Sequence, residues 1–147
     1  GADLRRKAGD DTAARVCALF DVPVERLSLR VRMLLSLGRR LFDPQLPAAA
    51  VCYVWDEHLP TGTVLSNAYT DRVKVVVLHT GSPGRWHAER RDLHADFAAA
   101  FPAEAAEGPV PVAAIGLTTD SDNTGGTALA YYGDFILSTD ASAHPAP

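Results

Sequence analysis

The sequence predicts a mostly β domain, a β-sandwich of jelly-roll type that carries two helices. Short apolar segments bounded by Pro, Gly and Asp recur along the chain, and most have the length of strands. Apolar residues at helical spacing are confined to two segments. The two helices do not alternate regularly with the strands, so the pattern disfavours a doubly wound parallel sheet.

Five segments are predicted as strands. The first two are compact apolar runs, and the second of them is rich in β-branched and aromatic side chains. The third gives the strongest pattern, with valines on both faces. Pro111 in the fourth is typical of an edge strand or a bulge. The five strands span residues 13–21, 48–56, 73–79, 110–118 and 128–137.

Two helices are predicted, over about residues 27–41 and 86–101. In the first, leucines and a valine recur at near-helical spacing among four arginines. In the second, Leu93, Phe97 and Phe101 are spaced by four residues, and Pro102 ends the helix. Residues 59–69 are predicted to form a long loop.

The size and composition fit one domain over residues 1–138, followed by a flexible tail over 139–147. The chain has 147 residues, of which 47% are hydrophobic and 22% charged, so it can form an apolar core. Its net charge of −4 argues against a nucleic-acid partner, because binding to phosphates needs a basic surface. No apolar run approaches the roughly 18 residues of a membrane-spanning helix.

The two cysteines, Cys17 and Cys52, lie in separate predicted strands, and their spacing matches no zinc signature. Buried free thiols are the interpretation that we favour, since free Cys is often buried. A disulfide is the alternative, because residues on neighbouring strands can approach closely enough to form one.

The segment most suggestive of chemistry is the acidic loop over residues 120–126 (DSDNTGG). Its oxygen-bearing side chains resemble the start of an EF-hand calcium loop, but the twelfth position is Tyr131, which excludes an EF-hand. A structural turn is the interpretation that we favour, because the same residue types form turns through local hydrogen bonds. A metal site at Asp120, Asp122, Asn123 and Thr124, with calcium as the candidate cofactor, is one alternative, and direct contact with a ligand is the other.

A candidate ligand-binding group consists of Trp55, Asp56, Trp86 and Arg90. Trp55 and Asp56 end a strand and open a long loop, a position where binding sites often lie. For Trp86, packing against the core beside Leu93 and Phe97 is the interpretation that we favour, and a sugar platform is the alternative. No catalytic residue is predicted. The weakest hypothesis is a hydrolase that uses Asp56 or Glu57.

A second charged group, near the start of the first strand, is predicted to form a salt-bridged loop rather than a site. It consists of Lys7, Asp10, Asp11 and Arg15.

Six groups of residues, taken together and in order, resemble a known family from Gly1 to about Leu137. They are residues 1–3 with 7–11 and 14–16, 53–55 with 59–62, 67–72, 84–86 with 89–93 and 96–97, 118–125, and 131–134. The family is the bacterial one described as domain of unknown function 3047.

The resemblance carries three implications. Family members have a signal peptide, which implies a periplasmic or secreted protein. They also have an upstream segment of strands, so we expect the N-terminal strands of the sandwich to be missing from this chain. The closing pattern of helix, strand, acidic loop and strand is similar to galactose-binding-like jelly rolls, which mostly bind carbohydrate.

The leading functional hypothesis is therefore an exported binding module for carbohydrate or another component of the cell envelope. The alternative is a structural or interaction protein of the envelope without a small-molecule ligand. Because five strands are few for a sandwich, its edges would be exposed. We accordingly predict a homodimer through an open sheet edge.

Overall fold

The computed structural model describes residues 2–82 and 84–139, and within them five strands form one mixed sheet. The helices are α1 (Leu29–Leu41), α2 (Leu93–Ala100) and α3 (Pro102–Ala105). The strands are β1 (Arg15–Phe20), β2 (Ala49–Asp56), β3 (Val64–Ser66), β4 (Val73–Thr80) and β5 (Val112–Thr118).

The strand order across the sheet is β3-β4-β2-β1-β5. The β2–β4 pair is parallel, and the other three pairs are antiparallel. The carboxyl ends of β2, β4 and β5 therefore lie beside the amino end of β1, at one end of the strands. The loops that join the sheet at these four strand ends lie side by side, and we call this end of the sheet the loop edge.

The prediction of a mostly β domain is confirmed. The strands lie in one sheet, however, whereas a jelly roll packs two sheets face to face. The described residues therefore do not confirm the jelly-roll part of the prediction. No helix among them is long and apolar enough to cross a membrane.

One face of the sheet is covered by the helices. Alternate side chains of β1, β2 and β4, among them Phe20, Tyr53 and Val76, form the main core cluster with α2. The rings of Phe20 and Phe97 are 4.5 Å apart between centroids, and those of Phe97 and Phe101 are 5.3 Å apart. The i, i+4 spacing of these two phenylalanines thus serves the core, as the sequence indicated.

The opposite face is covered in part by the N-terminal segment. Leu4 is buried against Val54, Val75 and Val77. On the same segment, the Asp10 carboxylate accepts hydrogen bonds from Arg15 Nη2 at 2.9 Å and from Asn67 Nδ2 at 2.7 Å. These contacts confirm the salt-bridged loop predicted around Asp10 and Arg15.

Cys17 and Cys52 form a disulfide, so the prediction of buried free thiols is wrong. The two residues are direct partners in the antiparallel pairing of β1 with β2. Only the register of this pairing, which strand composition does not specify, brings the two sulfur atoms together.

Helix α1 lies within the predicted range and begins after Ser28, whose Oγ accepts a hydrogen bond from the Val31 N–H. The second helix is shorter than predicted. It begins after Asp92, whose Oδ1 accepts a hydrogen bond from the Ala95 N–H at 3.0 Å. Residues 86–92 are not helical, and Pro102 starts α3 rather than simply ending the helix before it.

The C-terminal strand predicted over residues 128–137 is wrong, since these residues form no strand. Asp134 adopts a left-handed backbone conformation with φ of 54°, which interrupts an extended chain. The short strand β3 lies in the predicted loop over 59–69 and was missed. Apart from Thr139, the predicted tail over 139–147 lies outside the described residues.

Candidate functional site

Three aromatic rings, which we call the ring cluster, contact one another at the loop edge, where β2 and β4 end. Trp55 and His79 are register partners across these strands, with ring centroids 5.2 Å apart. His87 contacts both, at 5.0 Å from Trp55 and 3.9 Å from His79. The Trp55 indole N–H donates to the Gly81 carbonyl at 2.7 Å, which fixes the orientation of the indole ring.

Polar side chains surround this ring cluster. His79 Nε2 lies 2.6 Å from Glu89 Oε1, and Arg85 Nε donates to His87 Nε2 at 3.1 Å. Desolvation lowers the pKa of His87, and the charges of His79 and Arg85 lower it further. The lowered pKa favours the neutral form of His87, and only that form can accept the hydrogen bond from Arg85.

Trp86 lies in the segment 84–92, which leaves β4 and passes over the loop edge. Its side chain is 72% exposed, so the favoured interpretation, which packed Trp86 against the core, is wrong. Arg90 lies in the same segment and is exposed. Because this segment is not helical, Arg90 lies outside α2, although the sequence predicted a helix over about residues 86–101.

Asp56 is buried at the end of β2. Its Oδ1 accepts hydrogen bonds from the backbone N–H groups of His58, at 2.7 Å, and Leu59, at 2.5 Å. Its own carbonyl accepts one from the Gly81 N–H at 3.1 Å. Asp56 thus organises the two loops that follow β2 and β4.

The hydrolase hypothesis gains no geometric support from Asp56 and Glu57. The Asp56 carboxylate is engaged by backbone donors, and Glu57 is an exposed neighbour of His58 at 3.9 Å.

A second feature of the loop edge is a group of three carboxylates, which we call the acidic triad. It joins Asp11, from the segment before β1, to Asp120 and Asp122, from the loop after β5. One oxygen of each carboxylate lies within 4.8 Å of the others. Asp11 was not predicted as a metal ligand, because no sequence spacing connects residues so far apart in the chain.

The predicted ligands Asn123 and Thr124 bind Asp11 instead. The Asn123 backbone N–H and Nδ2 both donate to Asp11 Oδ1 at 3.1 Å, and the Thr124 N–H donates to Oδ2 at 2.8 Å. Hydrogen bonds from the Thr124 side chain and from these other donors lower the pKa of Asp11. These contacts hold the acidic loop against the N-terminal segment, which is the role expected of a structural turn.

The other two members of the triad repel each other. The negative charge of Asp120 is the main cause of a raised pKa at Asp122, and desolvation adds to it. The Asp120 backbone is fixed by its N–H, which donates to the Thr12 carbonyl at 2.9 Å. A bound cation would relieve this repulsion, and carboxylate oxygens are the ligands that calcium prefers.

The ring cluster and the acidic triad therefore both lie at the loop edge. The ring cluster lies at the ends of β4 and β2, and the triad lies beside β1 and β5. With neighbouring strands about 4.8 Å apart, two strand spacings, or about 10 Å, separate them. Trp55, Trp86 and Arg90 come to one end of this edge, and Asp120 and Asp122 come to the other.

A comparison with protein families gives one match. The family model described as "Protein of unknown function (DUF3047)" matches residues 1–136. The chain belongs to this family, as the six groups of residues indicated. No curated protein and no solved structure matches the chain.

Proposed function

We propose that this member of the family is an exported binding module for carbohydrate of the cell envelope, and that the sugar binds at the Trp55–Trp86 end of the loop edge. The observation that carries the proposal is the exposed indole of Trp86, which directly precedes His87, a member of the Trp55–His79–His87 ring cluster. An exposed aromatic ring with polar groups around it is what a sugar-binding module needs.

The chemistry of the site suits a polyhydroxylated ligand. The face of an indole packs against the apolar C–H face of a sugar ring, and a few polar groups around it fix the hydroxyl groups. Glu89 supplies acceptors, Arg85 supplies donors, and neutral His87, whose Nε2 accepts from Arg85, supplies its Nδ1–H as a donor. Since hydrogen bonds among these side chains already hold them in place, little side-chain entropy is lost on binding.

We include a calcium ion in the proposal, bound by Asp11, Asp120 and Asp122. The support is the convergence of three carboxylates from two distant segments. In this arrangement calcium would tie the segment before β1 to the loop after β5, and so would hold the loop edge in shape. Asn123 and Thr124 act through Asp11 rather than as ligands.

Export is part of the same proposal, and the disulfide supports it. Disulfides persist in oxidising compartments and are rare in the cytosol of most organisms. The Cys17–Cys52 bond is thus consistent with a periplasmic or secreted location.

The test is a glycan-array screen of the 147-residue chain, run once with calcium and once with a chelator. We expect binding to a defined set of glycans that is stronger in calcium. A blank array under both conditions would overturn the carbohydrate proposal. Equal binding under both conditions would retain the sugar site and overturn the calcium part.

Matched variants locate the site. Trp86→Ala should weaken binding about tenfold or more, because a Trp side chain packed against a ligand often contributes a large part of the binding free energy. Tyr131→Ala removes an equally exposed aromatic ring from another segment and should bind as the unaltered protein does. Equal losses in both variants would place the sugar elsewhere.

A role in protein or membrane contacts within the envelope is the second candidate. It is favoured by a different observation, the exposed apolar face of α1.

A further inference from the structure

The outer side of α1 is apolar and exposed. Val31 and Leu35 on its inner side pack against the core. Leu29, Met33, Leu37 and Leu41 follow each other at i, i+4 spacing, and Leu34 lies beside this row, so they share the opposite side of the helix. The side chains of these five residues and of Phe42, which follows the helix, are between 55% and 84% exposed. Monomeric proteins rarely expose so contiguous an apolar row unless it contacts something else.

The charge of α1 has a single sign. Of the chain's 14 Lys and Arg residues, four lie in α1, as Arg30, Arg32, Arg39 and Arg40. None of the 18 Asp and Glu residues lies within the helix. A strongly basic helix on a chain of net charge −4 is a local departure from the protein's overall charge.

The arginines are arranged in two ways. Arg32 and Arg39 are held by backbone carbonyls: Arg32 Nε donates to Leu27 O at 2.8 Å, and Arg39 Nε donates to Leu46 O at 3.0 Å. Arg30 and Arg40 are exposed and lie on the same side of the helix as the apolar row, one near each of its ends. Their long side chains can lie along an apolar surface and keep the guanidinium groups at its polar boundary.

A groove beside the helix adds a place for an anion. It has a volume of about 270 Å³ and is lined by Arg32, Ser36, Arg39 and Arg40 together with apolar side chains. Guanidinium groups bind phosphate oxygens well, because their paired N–H donors match the oxygen spacing. The groove thus lies where a phospholipid headgroup would meet a helix buried at the membrane interface.

We propose that α1 docks this domain on an anionic phospholipid surface, with the apolar row inserted among the acyl chains and the arginines at the headgroups. This arrangement is that of an interfacial amphipathic helix, which lies in the plane of the membrane without crossing it. A second copy is a poorer occupant. In a symmetric pairing the arginines of the two helices would face each other, and α1 has no carboxylate to offset them.

The proposal is independent of the sugar site and consistent with it. α1 leaves the sheet at the end of β1 and returns to it at the start of β2, which is the end opposite the loop edge. A domain docked through α1 therefore attaches to lipid near one end of the sheet, and its loops lie at the other.

Flotation of the 147-residue chain with lipid vesicles tests the proposal. We expect binding to phosphatidylcholine vesicles that contain phosphatidylglycerol, weak binding to phosphatidylcholine alone, and loss of binding as salt is raised. Failure to float with the anionic vesicles would overturn the proposal.

Three variants separate its parts. Leu37→Glu should reduce binding at least about tenfold, because it places a charge in the inserted row. Arg30→Gln with Arg40→Gln should reduce it roughly 25-fold, at about fivefold for each arginine. Leu129→Glu changes an exposed leucine outside α1 and should bind as the unaltered chain does.

The variants must also remain folded, and their thermal unfolding shows whether they do. Because Leu37 is exposed, Leu37→Glu should leave Tm unchanged. A clear fall in Tm would mean that the protein itself covers this row, and would overturn the proposal. A dimer abolished by Leu37→Glu, without lipid binding, would identify a second copy as the occupant and would likewise overturn it.

Discussion

Cys17 and Cys52 face each other across β1 and β2 and are joined by a disulfide that closes a loop of sequence separation 35. The loop contains α1 and the whole connection between the two central strands. The bond therefore fixes the register of the strands whose ends form the loop edge. Its removal should affect both stability and the site.

We expect Cys17→Ala with Cys52→Ala to lower the free energy of unfolding by roughly 3–4 kcal/mol, because the unfolded chain regains the entropy of the open loop. Urea denaturation measures the change. Reduction of the unaltered protein should cause a similar loss. Two alkylatable thiols in the unreduced, unfolded protein would show that the bond is absent.

Phe97 should be the most sensitive position of α2. It is 2% exposed and contacts the rings of Phe20 and Phe101. Phe97→Ala should destabilise the fold by about 3–5 kcal/mol, since it removes buried apolar surface and leaves a cavity. Phe135→Ala, at an exposed phenylalanine, should change the stability by less than about 0.5 kcal/mol. Similar losses in both variants would contradict this account of the core.

Tyr53 should make the fold sensitive to alkaline pH. Its hydroxyl donates to Asp96 Oδ2 at 2.6 Å, and burial followed by this hydrogen bond raises the pKa of the phenol. The folded state thus retains the proton more strongly than the unfolded state does. The resulting stability is complete below the unfolded pKa of about 10 and is lost as pH rises above it.

The Tyr53 prediction is checked by thermal unfolding of the unaltered protein and of Tyr53→Phe at pH 8 and pH 11. Tyr53→Phe should cost about 1 kcal/mol at pH 8, from the lost hydrogen bond. Its Tm should then fall less steeply than that of the unaltered protein between the two pH values. Parallel losses would show that Tyr53 does not link stability to pH.

The acidic triad should respond to calcium. We expect calcium to raise Tm relative to a chelator in the unaltered protein. Asp122→Asn should remove this effect, and it should be neutral or slightly stabilising in chelator because it relieves repulsion from Asp120. Asp134→Asn removes one charge outside the triad and should keep the calcium effect. If calcium does not change the Tm of the unaltered protein, the calcium proposal is wrong and the acidic loop is a structural turn.

The outer edge of β5 should mediate self-association. β5 is an edge strand, and the side chain of its Leu117 is exposed. An unpaired edge strand can accept a strand from a second copy of the protein. We predict a concentration-dependent dimer by light scattering that Leu117→Lys abolishes and Leu129→Lys does not. A monodisperse monomer at high concentration would count against the prediction.

The sequence by itself determined the elements that depend on local pattern. Strands β1, β2, β4 and β5 and helix α1 were predicted because burial on a face imposes a period that a single segment displays. Residues 128–137 show the limit of such reasoning. They are rich in strand-forming side chains, yet the backbone at Asp134 turns left-handed and the segment forms no strand.

Only the tertiary structure decided which residues meet. The disulfide depends on the register of two strands, and the membership of Asp11 in the triad depends on the meeting of two loops far apart in the chain. Trp86 was named as a candidate from its residue type, but its exposure follows from the chain passing over the loop edge without forming a helix. Local pattern fixes the period of a segment, whereas pairing and loop geometry arise from contacts that no single segment contains.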